Sequence, residues 1–314
     1  MRTYIVPIGV RWLLAVCCLL IYCSVNSGCA MQKGRNTLPT KQQLVVDQLV
    51  VHSDFHLPKN HRLIRELTSR RDEISRILDI PTSDESIHVF LFDDEAHFQA
   101  FMERAHPEFP GRRAFFVKSD NSLNVYAYWG PRVGDDLRHE VTHGYLHSVV
   151  PNLPIWLDEG LAEYFEIKRG KQGLNGPHIY SLSNRLRRSD WEPDLARLET
   201  LREATELGQM DYAESWLWVH FLLSSGEETQ ELLQNQLNQL IRLGVADSMA
   251  EAVADLIPNS EVKLISYLKQ LEGKAHLEGK AHLEGKASPP TMVRPVSAIN
   301  AGSDAYDNSS LEGS

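Results

Sequence analysis

The stretch Arg138-His139-Glu140-Val141-Thr142-His143-Gly144-Tyr145-Leu146-His147 spaces three histidines four residues apart, with a glutamate directly after the first. On an α-helix, residues four apart stand one above the other, about 6 Å along the axis, so His139 and His143 can converge on one tetrahedral Zn²⁺. Glu140 lies roughly 100° around the axis. That is off-line for a third ligand and well placed beside a metal-bound water, whose proton it can take during attack on a carbonyl and then pass to the leaving amine. His147 could pair with His143 only by leaving Glu140 without a role, so it is expected to pack or to face solvent. Leu137, Val141, Tyr145 and Val149 form an apolar stripe on the opposite side. The predicted helix therefore packs on one face and opens onto a cleft with the other.

A two-histidine site needs one more protein ligand if water is to keep the fourth position. Pro154-Ile-Trp-Leu-Asp-Glu-Gly-Leu-Ala-Glu-Tyr-Phe-Glu166 begins eleven residues after His143 and predicts a second helix. Glu159, Ala162, Glu163 and Glu166 share one of its faces, so a carboxylate from this face is the candidate ligand; Glu166 best fits a solvated position. HEVTH followed by PIWLDEGLAEYFE resembles the gluzincin metallopeptidases, the clan that includes thermolysin and aminopeptidase N. It is most similar to bacterial peptidase MA-like families. The resemblance spans roughly residues 85–225, counting Asp211-Tyr-Ala-Glu-Ser-Trp-Leu-Trp-Val-His-Phe-Leu-Leu223.

The resemblance implies one Zn²⁺ per chain, hydrolysis of a peptide or protein substrate, and Glu140 as general base. It makes the glutamate of the WLxEG segment, Glu159, the third ligand beside His139 and His143. An acid one turn further on, Glu163, would then orient a histidine; Glu163 itself sits at a thermolysin-like distance from His143, so the reverse assignment competes. The interval from His143 to Glu159 is shorter than in aminopeptidase N, which implies a tighter turn. A tyrosine or histidine that stabilises the oxyanion would be Tyr212 or His220, with Tyr212 the candidate. Two other functions fit the same residues: a zinc-stabilised envelope binding protein without turnover, and a zinc hydrolase acting on a non-peptide amide. Glu140 speaks against the first, because a structural site has no need of it.

The elements that must position these residues follow from periodicity. Leu63, Ile64, Leu67, Ile74, Ile77 and Leu78 predict a helix ended before Pro81, and Ile87–Phe92 reads as a buried strand. Asp93 or Asp94 caps a helix carrying Phe98, Phe101, Met102 and Ala105. Strands are expected at 114–117 and 123–128 around a Ser-Asp-Asn-Ser turn, and helices at about 212–224, 228–243, 247–257 and 259–271. The sum is an α+β, zincin-like domain: a small mixed or antiparallel sheet, the HExxH helix beneath it, and a helical C-terminal half. The strand near Leu123–Tyr128 is the expected edge for pairing an extended peptide. His52, His56 and His61 lack a carboxylate at ligand spacing and read as loop residues.

The 314 residues, 42% hydrophobic, suffice for one sizeable domain. A net charge of −10 gives no electrostatic support for nucleic-acid binding. Arg2 and Arg11 ahead of the short apolar run Trp12–Val25 read as an export signal over residues 1–29. All four cysteines (Cys17, Cys18, Cys23 and Cys29) lie within it, so the mature chain has no internal disulfide to form. Ser27-Gly28-Cys29-Ala30 resembles a bacterial lipoprotein box, although Asn26 departs from its usual aliphatic residue. Expected, then, is an exported cell-envelope protein, either attached to the membrane through lipidated Cys29 or cleaved plainly near Ser27 or Ala30. Domain bounds follow: an N-terminal segment with one helix at 30–80, the catalytic domain at 81–225, and packed C-terminal helices at 226–272. The hexapeptide repeat from Leu271, with a glycine every six residues, predicts a low-complexity disordered tail over 273–314.

Overall fold

The computed structural model of the chain describes residues 37–107, 111–119 and 122–287, with side chains as far as 277. The expected export signal, the lipid-attachment candidate Cys29 and residues 288–314 lie outside the described residues. The chain divides into a unit ending at Glu272 and a second beginning at Gly273. None of the described helices is long and apolar enough to cross a membrane.

Five strands, β1 (Gln42–Val46), β2 (Leu49–Ser53), β3 (Ile87–Phe92), β4 (Ala114–Ser119) and β5 (Ser122–Tyr128), form one mixed sheet in the order β1-β2-β3-β5-β4. The β2-β3 and β3-β5 pairs are parallel; the two outer pairs are antiparallel hairpins. The first hairpin was not anticipated from the sequence. It turns at Asp47, which takes a left-handed φ of 51° between the apolar pairs Val45-Val46 and Leu49-Val50. His52 therefore sits on a strand, stacked on Phe90 at 4.8 Å. His61 ends its loop as the N-cap of α1 (Arg62–Leu78), its ring accepting the Leu63 N–H. Residues 37–80 thus contribute two strands and a helix to the unit that ends at Glu272.

The edge expectation needs correction. β5 lies between β3 and β4, so Leu123–Tyr128 has both sides paired, and the free edge on that side of the sheet belongs to β4. Strand order is a long-range property that the local apolar pattern of each strand does not encode.

Alternation assigns the two faces. Ile87, Val89 and Leu91 point with Leu123, Val125 and Ala127 to one side, all buried. Against that side packs α3 (Val133–His147), which carries the histidine series. Helix and sheet approach so closely at Gly144 that an added Cβ would lie 2.9 Å from Ile87 Cγ2. On the opposite face α2 (Glu95–Ala105) lays Phe98 and Met102 over Phe92, Phe115 and Tyr126.

The remainder is helical: α4 (Ile155–Phe165), α5 (Gly176–Arg188), α6 (Leu195–Thr200), α7 (Gln209–Ser224), α8 (Glu227–Leu243), α9 (Met249–Leu256) and α10 (Ser260–Ala287). The first of these, α4, starts behind Pro154, whose missing N–H would be unpaired there in any case. It packs on α7, a helix buried on all sides, which is why Ala213 through Leu222 show no polar stripe. Gly160 makes that contact possible, since a Cβ there would stand 2.6 Å from the Ser215 carbonyl oxygen. The C-terminal end of α4 is pinned by two buried arginines. Arg138 of α3 reaches Glu66 at 3.0 Å and donates to the Glu166 carbonyl; Arg70 of α1 donates to the Ile167 carbonyl at 2.9 Å. Finally, α10 continues through the repeat to Ala287, so the first part of the segment read as a disordered tail is helical, despite its periodic glycines.

Candidate metal centre

The inner face of α3 presents His139 and His143, and α4 brings Glu159 against them. The two Nε2 atoms are 3.2 Å apart. Glu159 Oε2 is 3.3 Å from the first and 3.6 Å from the second. A tetrahedral cation with bonds of about 2.0–2.1 Å sets its ligands roughly 3.3–3.4 Å from one another. The triangle of atoms has the size that such a cation requires.

The outer ring nitrogens explain why these three atoms face inward. His143 Nδ1 lies 2.8 Å from Asp158 Oδ1, and His139 Nδ1 lies 3.4 Å from Glu166 Oε2. With a proton on each Nδ1 directed at its carboxylate, each Nε2 turns a lone pair toward the other and toward Glu159. Glu159 Oε2 is buried and, among the described residues, accepts no hydrogen bond. Three electron-rich atoms at these distances, two of them on buried residues, repel unless positive charge lies among them. The electrostatics carry the same sign. Burial works against a charged ring at both histidines, yet Glu159 and Glu166 raise His139, and Asp158 and Glu159 raise His143. Burial likewise opposes ionisation of Asp158 and Glu159, and the histidines outweigh it, holding both carboxyls below their usual range. The pocket demands cations, either protons on its imidazoles or a metal ion. His139, His143 and Glu159 form a cluster that can hold one.

Glu140 stands apart from the triangle, as its place on the helix requires. Its carboxyl is held above the usual range, chiefly by burial, against the pull of His139 and His143. It opens with His139 onto a cleft of about 310 Å³ whose walls include Arg112, Arg113, Glu166 and Tyr212. Burial, followed by the Glu159 charge, raises the Tyr212 phenol, and the neighbouring Arg112 works the other way. The cleft thus gathers Glu140, Tyr212 and one open side of the histidine pair.

Glu163 looks different in three dimensions, whereas His220 packs. Glu163, read as the carboxylate that orients a histidine, accepts instead from His178 Nε2 at 2.9 Å and from Asn175 Nδ2 at 3.2 Å. It remains on the cleft wall, with one oxygen within 4.8 Å of a His139 ring nitrogen. The orienting contacts belong to Asp158 for His143 and to Glu166 for His139. His220 lies in the α7 packing, with Tyr267 Oη 2.6 Å from its Nδ1 and the Trp216 ring 5.3 Å away.

Asp158 was missed in the sequence, and its second oxygen finds His147 Nε2 at 2.7 Å. The third histidine of the series is therefore bound to the first carboxylate of the Asp-Glu pair. Phe116 of β4 covers both rings, stacking 5.8 Å from His143 and 5.4 Å from His147. The unbroken four-residue spacing from His139 to His147, set against two adjacent acids, was the available signal. Compared with protein-family models and with the curated proteins, the chain finds no match in either.

Proposed function

We propose that this protein is a zinc metallopeptidase of the gluzincin type, built on a zincin-like domain, with His139, His143 and Glu159 as metal ligands. Two imidazoles and a carboxylate at near-tetrahedral separations suit Zn²⁺ better than a cation that prefers an oxygen-rich octahedron. Zn²⁺ held there would polarise a substrate carbonyl and make water a competent nucleophile near neutral pH.

The residues supply the rest. Glu140 accepts the proton of the attacking water and returns it to the leaving nitrogen; a carboxylate whose pKa is raised by burial takes that proton more readily than an ordinary one. Tyr212, kept protonated by its own raised pKa, donates a hydrogen bond toward the oxygen that gains charge. The free edge of β4 offers backbone groups to an extended peptide.

The observation that carries this reading is the buried Glu140 beside the converging donor atoms and at the head of an open cleft. Metal analysis of the full chain together with a mixed-peptide digest tests it. One tightly bound zinc and chelator-sensitive cleavage are expected; protein that takes up no zinc contradicts it. Zinc uptake with hydrolysis confined to non-peptide amides would instead favour an amidase. The same reading has the chain exported, with Cys29 as lipid attachment point. A diacylglyceryl mass on Cys29 of the mature protein supports the anchor, and an unmodified N-terminus elsewhere excludes it.

A further inference from the structure

A second cluster lies at the C-terminal ends of the parallel strands β2 and β3, on three elements. Asp54 follows the last residue of β2, Asp93 follows the last residue of β3, and His97 sits in the first turn of α2. His97 Nδ1 is 3.0 Å from Asp54 Oδ2 and 3.0 Å from Asp93 Oδ1. Both Asp54 and His97 are buried, at 5% and 4% exposure. Asp93 has about a third of its side chain exposed, 34%, which leaves a path to solvent.

The other ring nitrogen fixes the tautomer. His97 Nε2 lies 2.9 Å from the Thr37 carbonyl oxygen, an acceptor only, so Nε2 carries a proton. A neutral ring then directs the Nδ1 lone pair at two carboxylates. A doubly protonated ring has one N–H to offer them, and its direction favours Asp93. Asp54 Oδ2 accepts no hydrogen bond among the described residues although it is buried and aimed at the same point. With the ring neutral, that unsatisfied buried carboxylate oxygen is expensive.

We propose that Asp54, Asp93 and His97 bind a divalent cation of the Mn²⁺ type, separate from the His139/His143/Glu159 centre. An octahedral ion with bonds of about 2.1 Å places neighbouring ligands about 3.0 Å apart, shorter than the tetrahedral spacing of the other site. Two aspartates and one neutral imidazole neutralise a 2+ ion, and waters entering beside Asp93 complete its shell. The imidazole donor separates this site from those preferred by Mg²⁺ and Ca²⁺. The ion would tie the ends of β2 and β3 together. By holding His97 in the Nε2–H tautomer, it would also fasten Thr37, the residue through which the chain reaches β1.

The test adds Mn²⁺ to the full, zinc-loaded chain and follows uptake by electron paramagnetic resonance, with hydrogen exchange over residues 37–54 as a second readout. Expected is one equivalent of Mn²⁺ bound and slower exchange in that segment, both lost in Asp93→Asn, whose part-exposed side chain makes it the milder change. Asp54→Asn should lose them as well, while His143→Ala retains the Mn²⁺. Absence of uptake, or uptake that survives both aspartate substitutions, overturns the proposal. So does a nitrogen NMR spectrum in which both His97 ring nitrogens stay protonated in the presence of Mn²⁺.

Discussion

At the level of single residues, the centre depends on which carboxylate does what. Spacing on one helix was enough to anticipate that His139 and His143 come together, because the distance between residues four apart is fixed by the helix itself. The choice between Glu159 and Glu163 was not legible in the same way, since it depends on the rotation of α4 against α3. In the folded chain Glu159 Oε2 joins the two Nε2 atoms, and Glu163 turns to His178. Accordingly Glu159→Ala should abolish stoichiometric zinc, whereas Glu163→Ala should leave it bound; metal content by mass spectrometry decides. Asp158→Asn should keep zinc but weaken its affinity about 10–100-fold, as loss of a ligand's supporting carboxylate does. Glu140→Gln preserves shape but cannot take a proton. It should bind zinc normally and lose about 10²–10⁴-fold in turnover; activity within a few fold of the parent would remove Glu140 from the mechanism.

Among the elements, the helices were the legible part. The stripes of α1, α2 and α8 have the period of a half-buried helix, and caps such as Asp94, which accepts from His97 N–H at 2.8 Å, mark their starts. The β1-β2 hairpin escaped because its turn, Asp47-Gln48, lacks the glycine that usually announces one. The glycines in the two motif helices carry a contrast that can be measured. At Gly160 an added methyl meets backbone, the Ser215 carbonyl, and the helices must separate. At Gly144 it meets the side chain of Ile87, which can turn aside. Alanine also improves helix propensity by about 1 kcal/mol over glycine at either site, which offsets more of the milder clash at Gly144 than of the backbone clash at Gly160. Gly160→Ala should therefore cost about 1–3 kcal/mol or more in urea unfolding, and Gly144→Ala distinctly less. Equal losses would contradict the distinction between a backbone clash at Gly160 and a side-chain clash at Gly144.

For the whole molecule, the pocket links metal, protons and stability. His139 and His143 bind protons more tightly folded than unfolded, where their pKa is about 6.5. Their contribution in the metal-free protein is complete below that value and is lost as pH rises through the folded values. Asp158 and Glu159 are lowered, so their contribution is present above about pH 4 and is lost as pH falls through the folded values. Metal-free protein should be most stable in the mildly acidic range and should soften steadily above about pH 6.5. Zinc must displace the imidazole protons, so the stabilisation it brings should grow with pH over the same interval. Melting temperatures with and without zinc from pH 5 to about 9 would show the two curves diverging. Parallel curves would mean that the histidines hold no protons for the metal to displace.

The central claim is that two imidazoles of α3 and one carboxylate of α4 hold a single zinc, and zinc-edge X-ray absorption of the full chain loaded with one equivalent tests it most directly. The predicted spectrum has two imidazole nitrogens and oxygen donors at about 2.0–2.1 Å, with one imidazole lost in His143→Ala. A shell without imidazole scattering, or one unchanged by that substitution, would contradict the account.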